Sequence, residues 1–352
     1  MIFRGRTSAS EISAAVFRLR EIGLVVGLAV TIIFFAARAS NFLTVSNWQG
    51  IAQNVAIVLV VAVGETMVIL TRNIDLSVGS IVGLSAYLTA ATFVHHHGLP
   101  LFVVALIAVA IGLGLGIING LLVAVGRIPS IIATLATLGI YRGIDVRITG
   151  GKNITAYQLP DSFLNLASTK PLGLPTLAWI ALGIALAGAA VLRWAPWARD
   201  FYAIGSNPEA ARFTGIPSVR RVITAFAISG ALAGLGGFMF AARFPTVDAV
   251  VAKNFELDVI TAVVIGGVNV FGGVGSILGV ALGAVLVATI ENGFTLLRIS
   301  EFWRLFFNGL AIVVAVTIDA LVTQRLQSAL RRRRADALAA RHSAARHSEA
   351  HP

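Results

Sequence analysis

The chain has 352 residues, 57% of them hydrophobic and only 12% charged. Soluble domains carry about 25% charged residues, so this composition excludes a single soluble domain and a disordered chain. The absence of cysteine excludes a disulfide-stapled module, a thiol nucleophile and a cysteine metal site. The 27 Lys and Arg against 16 Asp and Glu would suggest nucleic acid in a soluble protein. Here the basic residues cluster between apolar runs and at both ends, where they set membrane orientation, and no nucleic-acid partner is expected.

A bilayer core about 30 Å thick is crossed by roughly 20 helical residues. In chain order, residues 1–20 carry Arg4, Arg6, Arg18 and Arg20 and read as a cytoplasmic tail. Apolar runs follow at 22–37, 51–71, 78–94, 101–125, 128–141, 174–192, 222–242, 257–270, 274–297 and 302–322. The run at 22–37 has basic residues before it and Ala37-Arg38-Ala39 after it, as a signal peptide would. The stretch before it is long for that purpose, and everything downstream is membrane-embedded, so it is read as a span. The predicted fold is an all-α polytopic membrane protein of about ten transmembrane helices, some broken. Polar backbone at membrane depth survives only inside protein or against a water-filled cavity, so the broken runs belong to the interior.

Arginines 193, 199, 212, 220 and 221 fill the connection 193–221, and Arg325, Arg331–Arg334, Arg341 and Arg346 fill the C-terminal stretch. Ten crossings place both regions, and both termini, on the cytoplasmic side, in accord with the positive-inside rule. The predicted organisation is a tail at 1–20, a membrane domain at 21–324 and a basic tail at 325–352. That last segment is too polar and Ala-rich to pack a core, and its charge suits anionic lipid headgroups. Arg142, Arg147, Lys152 and Lys170 sit in the outer connection 142–173 against the rule.

No phosphate-cradling loop, zinc-protease motif or nucleophile elbow is present. No catalytic, cofactor-binding or metal-ligating residues are assigned. His95, His96 and His97 are adjacent, do not converge on one helix face, and read as a solvated turn. Glycines recur at four-residue spacing at Gly112, Gly116 and Gly120, and at Gly275, Gly279 and Gly283. That spacing puts small residues on one helix face and lets backbones approach closely in lipid.

The connection 201–221 contains a capped helix of about two turns. Asn207 suits the N-cap, Pro208 the first helical position and Glu209 the positive end of the dipole, while Gly215 and Pro217 stop it. It is either a linker between spans or a docking helix for a cytoplasmic motor.

Four stretches, TRNIDLSVGSIVG (71–83), GRIPSIIATLATLGIYRG (126–143), FYAIGSNPEAARFTGI (201–216) and ELDVITAVVIGGVNVFGGVGSILG (256–279), occur in this order. They resemble the blocks of the bacterial ABC-transporter permeases that import ribose, xylose, arabinose, galactose, rhamnose and autoinducer-2. TRNID at 71–75, TGGK at 149–152 and LLRISEFW at 296–303 are most similar to the rhamnose and autoinducer-2 branch. The resemblance spans about residues 20–325 and implies a multi-pass monosaccharide import permease of a bacterial inner or plasma membrane. The implied partners are a cytoplasmic ABC ATPase carrying ATP and Mg, a periplasmic or lipid-anchored sugar-binding protein, and a second permease subunit, identical or related. It also implies that 207–215 is the ATPase-coupling helix, with Asn207, Pro208, Glu209, Ala210, Arg212 and Gly215 as its residues. Glu65 departs from the smaller or uncharged residue that the resemblance implies. Permeases for nucleosides or branched-chain amino acids share the architecture, and an ion-coupled secondary transporter is the alternative class.

Ionisable residues inside spans are functional candidates by default. Asn73, Asp75, Ser77, Gly79, Ser80, Asn119, Thr134 and Asn292 are the candidates for a broken helix or translocation path. Asp75 and Asn73 serve equally as caps for the following helix. Glu291 and Asp319 lie near span ends, and Arg142 is either a gate or an interface anchor. A path for neutral sugars is expected to offer hydroxyls, amides and glycine-opened backbone rather than buried ions. VGSIVG at 78–83 returns as VGSILG at 274–279, an echo of an internal repeat.

Overall fold

The computed structural model describes residues 9–244, 246–314, 316, 317 and 320, with side chains from Ile22 onward. Asp319 and the basic segment from 325 lie outside the described residues. The helices in chain order are α1 (Ala9–Arg38), α2 (Val45–Leu70), α3 (Val78–His95), α4 (Leu101–Ala124), α5 (Ser130–Thr149), α6 (Asp161–Ser168) and α7 (Thr176–Trp194). They continue with α8 (Pro196–Ser206), α9 (Pro208–Phe213), α10 (Ser218–Arg243), α11 (Phe255–Ile265) and α12 (Ile277–Leu296), and residues 301–312 are also helical. Six of these, α2, α3, α4, α7, α10 and α12, are long and apolar enough to cross a membrane, and the shorter apolar stretch Ile22–Arg38 lies in α1. Each of the ten apolar runs overlaps a helix, but α11, at 11 residues, is too short to cross a bilayer, residues 266–270 of its run are not helical, and part of the run 302–322 lies outside the described residues.

α2 is the central rod. In its most apolar window 89% of residues are buried, against 22% in α4, so α2 is covered all round while α4 turns a broad face to lipid. Its first turn is capped by Thr44, whose hydroxyl accepts from the Asn47 N–H at 3.3 Å. α10 packs along α4, α3 and α2, and α12 packs along α11, α2 and α1.

The glycine ladders explain two of these seams. A Cβ at Gly112 would strike the Gly230 carbonyl, one at Gly116 the Phe226 carbonyl, and one at Gly120 would come within 2.8 Å of Ile223 Cα. Gly279 meets the Gly266 carbonyl, and Gly283 the Ala262 carbonyl, bringing α12 backbone to backbone with α11, but Gly275 does not share that helix face: it precedes α12, whose N-cap is Ser276, and packs against the Val268 side chain.

α5 is longer than the run 128–141 from which it was expected. At 20 residues it rises about 30 Å, and its outer half carries Arg142, Asp145 and Arg147. Beyond it, residues 150–175 fold over the outer end of α2. Gln53 donates to the Ala167 carbonyl at 2.6 Å, and Lys170 to Gln49 at 2.6 Å. Ile154–Thr155 pairs antiparallel with Thr246–Val247, a two-stranded clasp between the two outer connections.

Residues up to Ile312 form one compact unit; of the second, Val313–Pro352, the described residues are helical.

Candidate functional site

Three polar features stand out in this apolar body. The first lies where α2 ends and α3 begins. Arg72 takes a left-handed turn at φ 66°, and the chain doubles back so that the Asp75 N–H donates to Glu65 Oε1 at 3.0 Å. The Asp75 carboxylate accepts from the Ser77 N–H at 2.9 Å and from its hydroxyl at 2.6 Å. Asn119 on α4 donates to Ser77 Oγ at 2.7 Å and to both Asp75 oxygens at 3.4 Å. The Tyr141 hydroxyl reaches the Leu115 carbonyl at 3.0 Å and Asn119 Oδ1 at 3.2 Å, at geometries allowing it to donate to either. Thr134 donates to the Ile74 carbonyl at 3.2 Å, which holds α5 against the same turn.

Seven of the eight path candidates therefore converge here. Asp75, Ser77, Ser80, Asn119 and Thr134 are each 0% exposed. A Cβ on Gly79 would collide with Glu256, so the start of α3 abuts the start of α11. Asp75 braces the start of α3 by accepting from the Ser77 N–H and hydroxyl, although the N-cap position is Ser77 itself, whose side chain makes no capping bond. Asn73 does not brace it: its amide donates to the Thr71 carbonyl at 3.1 Å and hydroxyl at 2.9 Å, so it finishes α2 instead. Glu65 belongs to this buried cluster, with Oε2 accepting no hydrogen bond.

The second feature is the cytoplasmic elbow. Asn207 Oδ1 accepts from the Ala210 N–H at 3.0 Å, Pro208 opens α9, Glu209 sits in its first turn and Arg212 in its last. Gly215 turns the chain at φ +81°, a conformation that side chains resist. Ala210, Arg212 and Phe213 are exposed, Phe213 at 90%.

The preceding helix α8 was read only as connection. Ala198, Phe201, Ile204 and Gly205 are buried along one side of it, a helical spacing present in the sequence. Gly205 lies against the Leu70 carbonyl and Gly273, and Asp200 pairs with Arg221 at 2.7 Å. The Tyr202 hydroxyl donates to the Gly275 carbonyl at 3.2 Å, and burial pushes its pKa up. α9 is thereby carried on a helix wedged against the ends of α2 and α10 and the turn before α12.

The third feature is a cavity of about 640 Å³ at the opposite end. Its walls come from the outer halves of α2 (Asn54, Ile57, Val58), α10 (Phe240, Arg243) and α12 (Glu291, Asn292, Thr295), with Asp258 and Arg304 alongside. Arg304 approaches Glu301 at 2.9 Å, Glu291 at 3.4 Å and Asp258 at 3.8 Å, and Asn308 donates to Asp258. Asn292, the eighth path candidate, lines this cavity and exchanges two amide hydrogen bonds with Asn47 at 2.8 and 3.0 Å.

The cavity corrects one expectation, that polar space in this chain would be free of buried ions. Ion pairing among Arg304 and its three carboxylates offsets the cost of desolvation. Asp258 and Arg304 went unnoticed in the sequence although each is ionisable within an apolar run, the one signal that finds such residues.

The loop 248–254 forms part of the cavity wall. It is strapped from behind by Arg142, which donates to the carbonyls of Val251 at 2.7 Å, Ala252 at 3.3 Å and Ala249 at 3.4 Å. Ala252 and Asn254 in this loop are both left-handed. The three histidines are exposed in their turn, and among the described residues no group of His, Asp and Glu could hold a metal.

Comparison with protein families matches residues 47–316 to the branched-chain amino acid transport system / permease component family. The chain belongs to this family. All four motifs read from the sequence fall inside the matched region, and the resemblance they carried is borne out. The autoinducer 2 import system permease protein LsrC of Salmonella typhi is 36% identical over 90% of both chains. The protein of that name from Klebsiella pneumoniae is 39% identical over 77% of both, and that of Escherichia coli 34% identical over 90% of this chain and 91% of its own. No solved structure matches significantly. The chain is thus a multi-pass inner-membrane permease, a transport subunit of an ABC importer rather than an enzyme, and an ATPase and a substrate-binding protein belong to such a system.

Proposed function

We propose that this permease forms the translocation path for a compact sugar-like molecule of the autoinducer-2 or rhamnose kind, and that α9 delivers the work of a separate ATPase. The observation that carries the substrate class is the identity to autoinducer 2 import permeases along nine-tenths of the chain. The family's own description favours a second reading, a branched-chain amino acid.

ATP and Mg reside on the partner ATPase, which receives Asn207, Pro208, Glu209, Ala210, Arg212 and the turn at Gly215. A periplasmic or lipid-anchored binding protein delivers the substrate to the outer face, and two permease subunits, identical or related, enclose the path. Asp75, Ser77, Ser80, Asn119 and Thr134 form the inner part of that path, closed in the present conformation, and Asn292 the outer part. Alternation between inward and outward states would then open the buried knot and the cavity in turn.

Reconstitution with and without the ATPase tests the reading. Uptake is expected to require ATP hydrolysis and to survive collapse of the membrane potential; uptake that follows the potential would identify a secondary transporter. With the ATPase present, Glu209→Ala and Gly215→Ala are expected to lower uptake about tenfold or more while ATP hydrolysis and membrane insertion persist. Undiminished uptake in both would remove α9 from the coupling role.

A further inference from the structure

The outer cavity holds polar atoms that the protein itself leaves without hydrogen bonds. Nε of Arg243 and Nε of Arg304 are buried and make none, Oε1 of Glu291 is buried with only the 3.4 Å ion pair to Arg304, and all three residues line the same space. Burying such groups unsatisfied costs about 1–3 kcal/mol each, so in a region this well packed their convergence marks a place completed by something else. Two of the groups donate and one accepts. Among common ligand groups, a hydroxyl can do both.

The charge of the site narrows the class. Three basic side chains, Arg243, Lys253 and Arg304, and three acidic ones, Asp248, Asp258 and Glu291, line the cavity. An ion would bring a net charge to a balanced set, with Arg304 already bound to its carboxylates. A neutral ligand with several hydroxyls brings none. The wall also offers a flat apolar face. Phe240 and Phe244 stack with ring centres 4.2 Å apart, and such a surface accepts the C–H face of a ring while polar neighbours fix its orientation.

We infer that this cavity is a binding subsite for an uncharged polyol, held by Glu291, Arg243 and Arg304 against the Phe240–Phe244 face. The inference rests on the import reading above and places substrate recognition within the permease as well as in its binding protein. Glu291 accepts from one hydroxyl of a vicinal pair, and the arginine Nε groups donate to its neighbours.

The natural absence of cysteine makes the test direct. In Thr295→Cys, at the exposed rim of the cavity, a membrane-impermeant maleimide is applied from outside to the full permease reconstituted with its ATPase. Labelling rates are read with and without D-ribose, L-rhamnose or L-leucine. Ribose or rhamnose is expected to slow labelling and leucine to leave it unchanged. Adding Glu291→Gln should weaken the protection about tenfold, the loss of one charged hydrogen bond; unchanged labelling without sugar would verify that the cavity is intact.

Protection by leucine alone, or none by either sugar, would overturn the subsite, as would full protection in the Glu291→Gln background. A parallel uptake measurement separates this failure from failure of the import reading. Sugar uptake without protection leaves the reading standing and removes the subsite, whereas leucine uptake without sugar uptake removes both.

Discussion

Asn119 uses both ends of its amide, donating to Ser77 and Asp75 and placing its oxygen 3.2 Å from the Tyr141 hydroxyl. Its removal would leave a buried carboxylate with donors only from Ser77, and low surrounding polarity makes that loss expensive. Asn119→Leu is therefore expected to lower stability by about 2–4 kcal/mol, seen as a reduced melting temperature of the detergent-purified protein. An unchanged melting temperature would show that the cluster does not hold α3, α4 and α5 together. The sequence made Asp75, Ser77 and Asn119 candidates as polar residues in or between apolar runs. What it could not show is that they meet, since they lie 42 and 44 residues apart in the chain. The Arg142 strap was equally hidden, because its partners are backbone carbonyls, which every residue carries and no motif records.

Helix packing was more legible. Four-residue glycine spacing is a property of one helix face; the first ladder sits whole at the seam of α4 against α10, while of the second only Gly279 and Gly283 lie on α12, against α11. The distinction between seam and lipid face gives a sharp contrast within α4. Gly112 abuts the Gly230 carbonyl, while a Cβ at Gly114 meets nothing within 4 Å. Gly112→Ala is expected to cost about 1–3 kcal/mol or more by overpacking. Gly114→Ala should be neutral or stabilising by up to about 1 kcal/mol, the helix-propensity gain. Melting temperatures of the two variants measured side by side decide this, and equal effects would refute the seam. α8 shows the opposite case, an amphipathic helix overlooked because a basic connection was read for charge instead of for period. The loop 248–254 could not be foreseen, since its shape follows from the Arg142 contacts and two left-handed residues.

At the scale of the molecule, the cytoplasmic elbow and the outer cavity stand at opposite ends and share α2. Gly205 of α8 touches the last carbonyl of α2 and Gly273, so the helix that precedes α9 packs directly on the end of α2 and on the turn before α12. Gly205→Val is expected to push α8 away from both contacts. ATPase binding to the permease should remain, while uptake falls about tenfold or more; co-purification and transport read the two separately, and normal uptake would show that α8 is not the connection.

Near its cytoplasmic end α2 also meets α10 without a side chain between them, for a Cβ at Gly64 would sit 2.6 Å from Ser229 Cα. A backbone contact of this kind has no side chain to yield, so a rigid tilt of α2 against α10 would pivot there. Leu70 lies six residues below it and Asn54 ten above, arms of about 9 and 15 Å at 1.5 Å per residue. A rigid tilt about Gly64 would turn each ångström of displacement at the elbow into about 1.7 Å at the cavity wall, in the reverse direction. Such unequal arms would trade force for travel, so that a small displacement at the cytoplasmic end would resize a chamber on the far side of the membrane at the cost of a proportionately larger force.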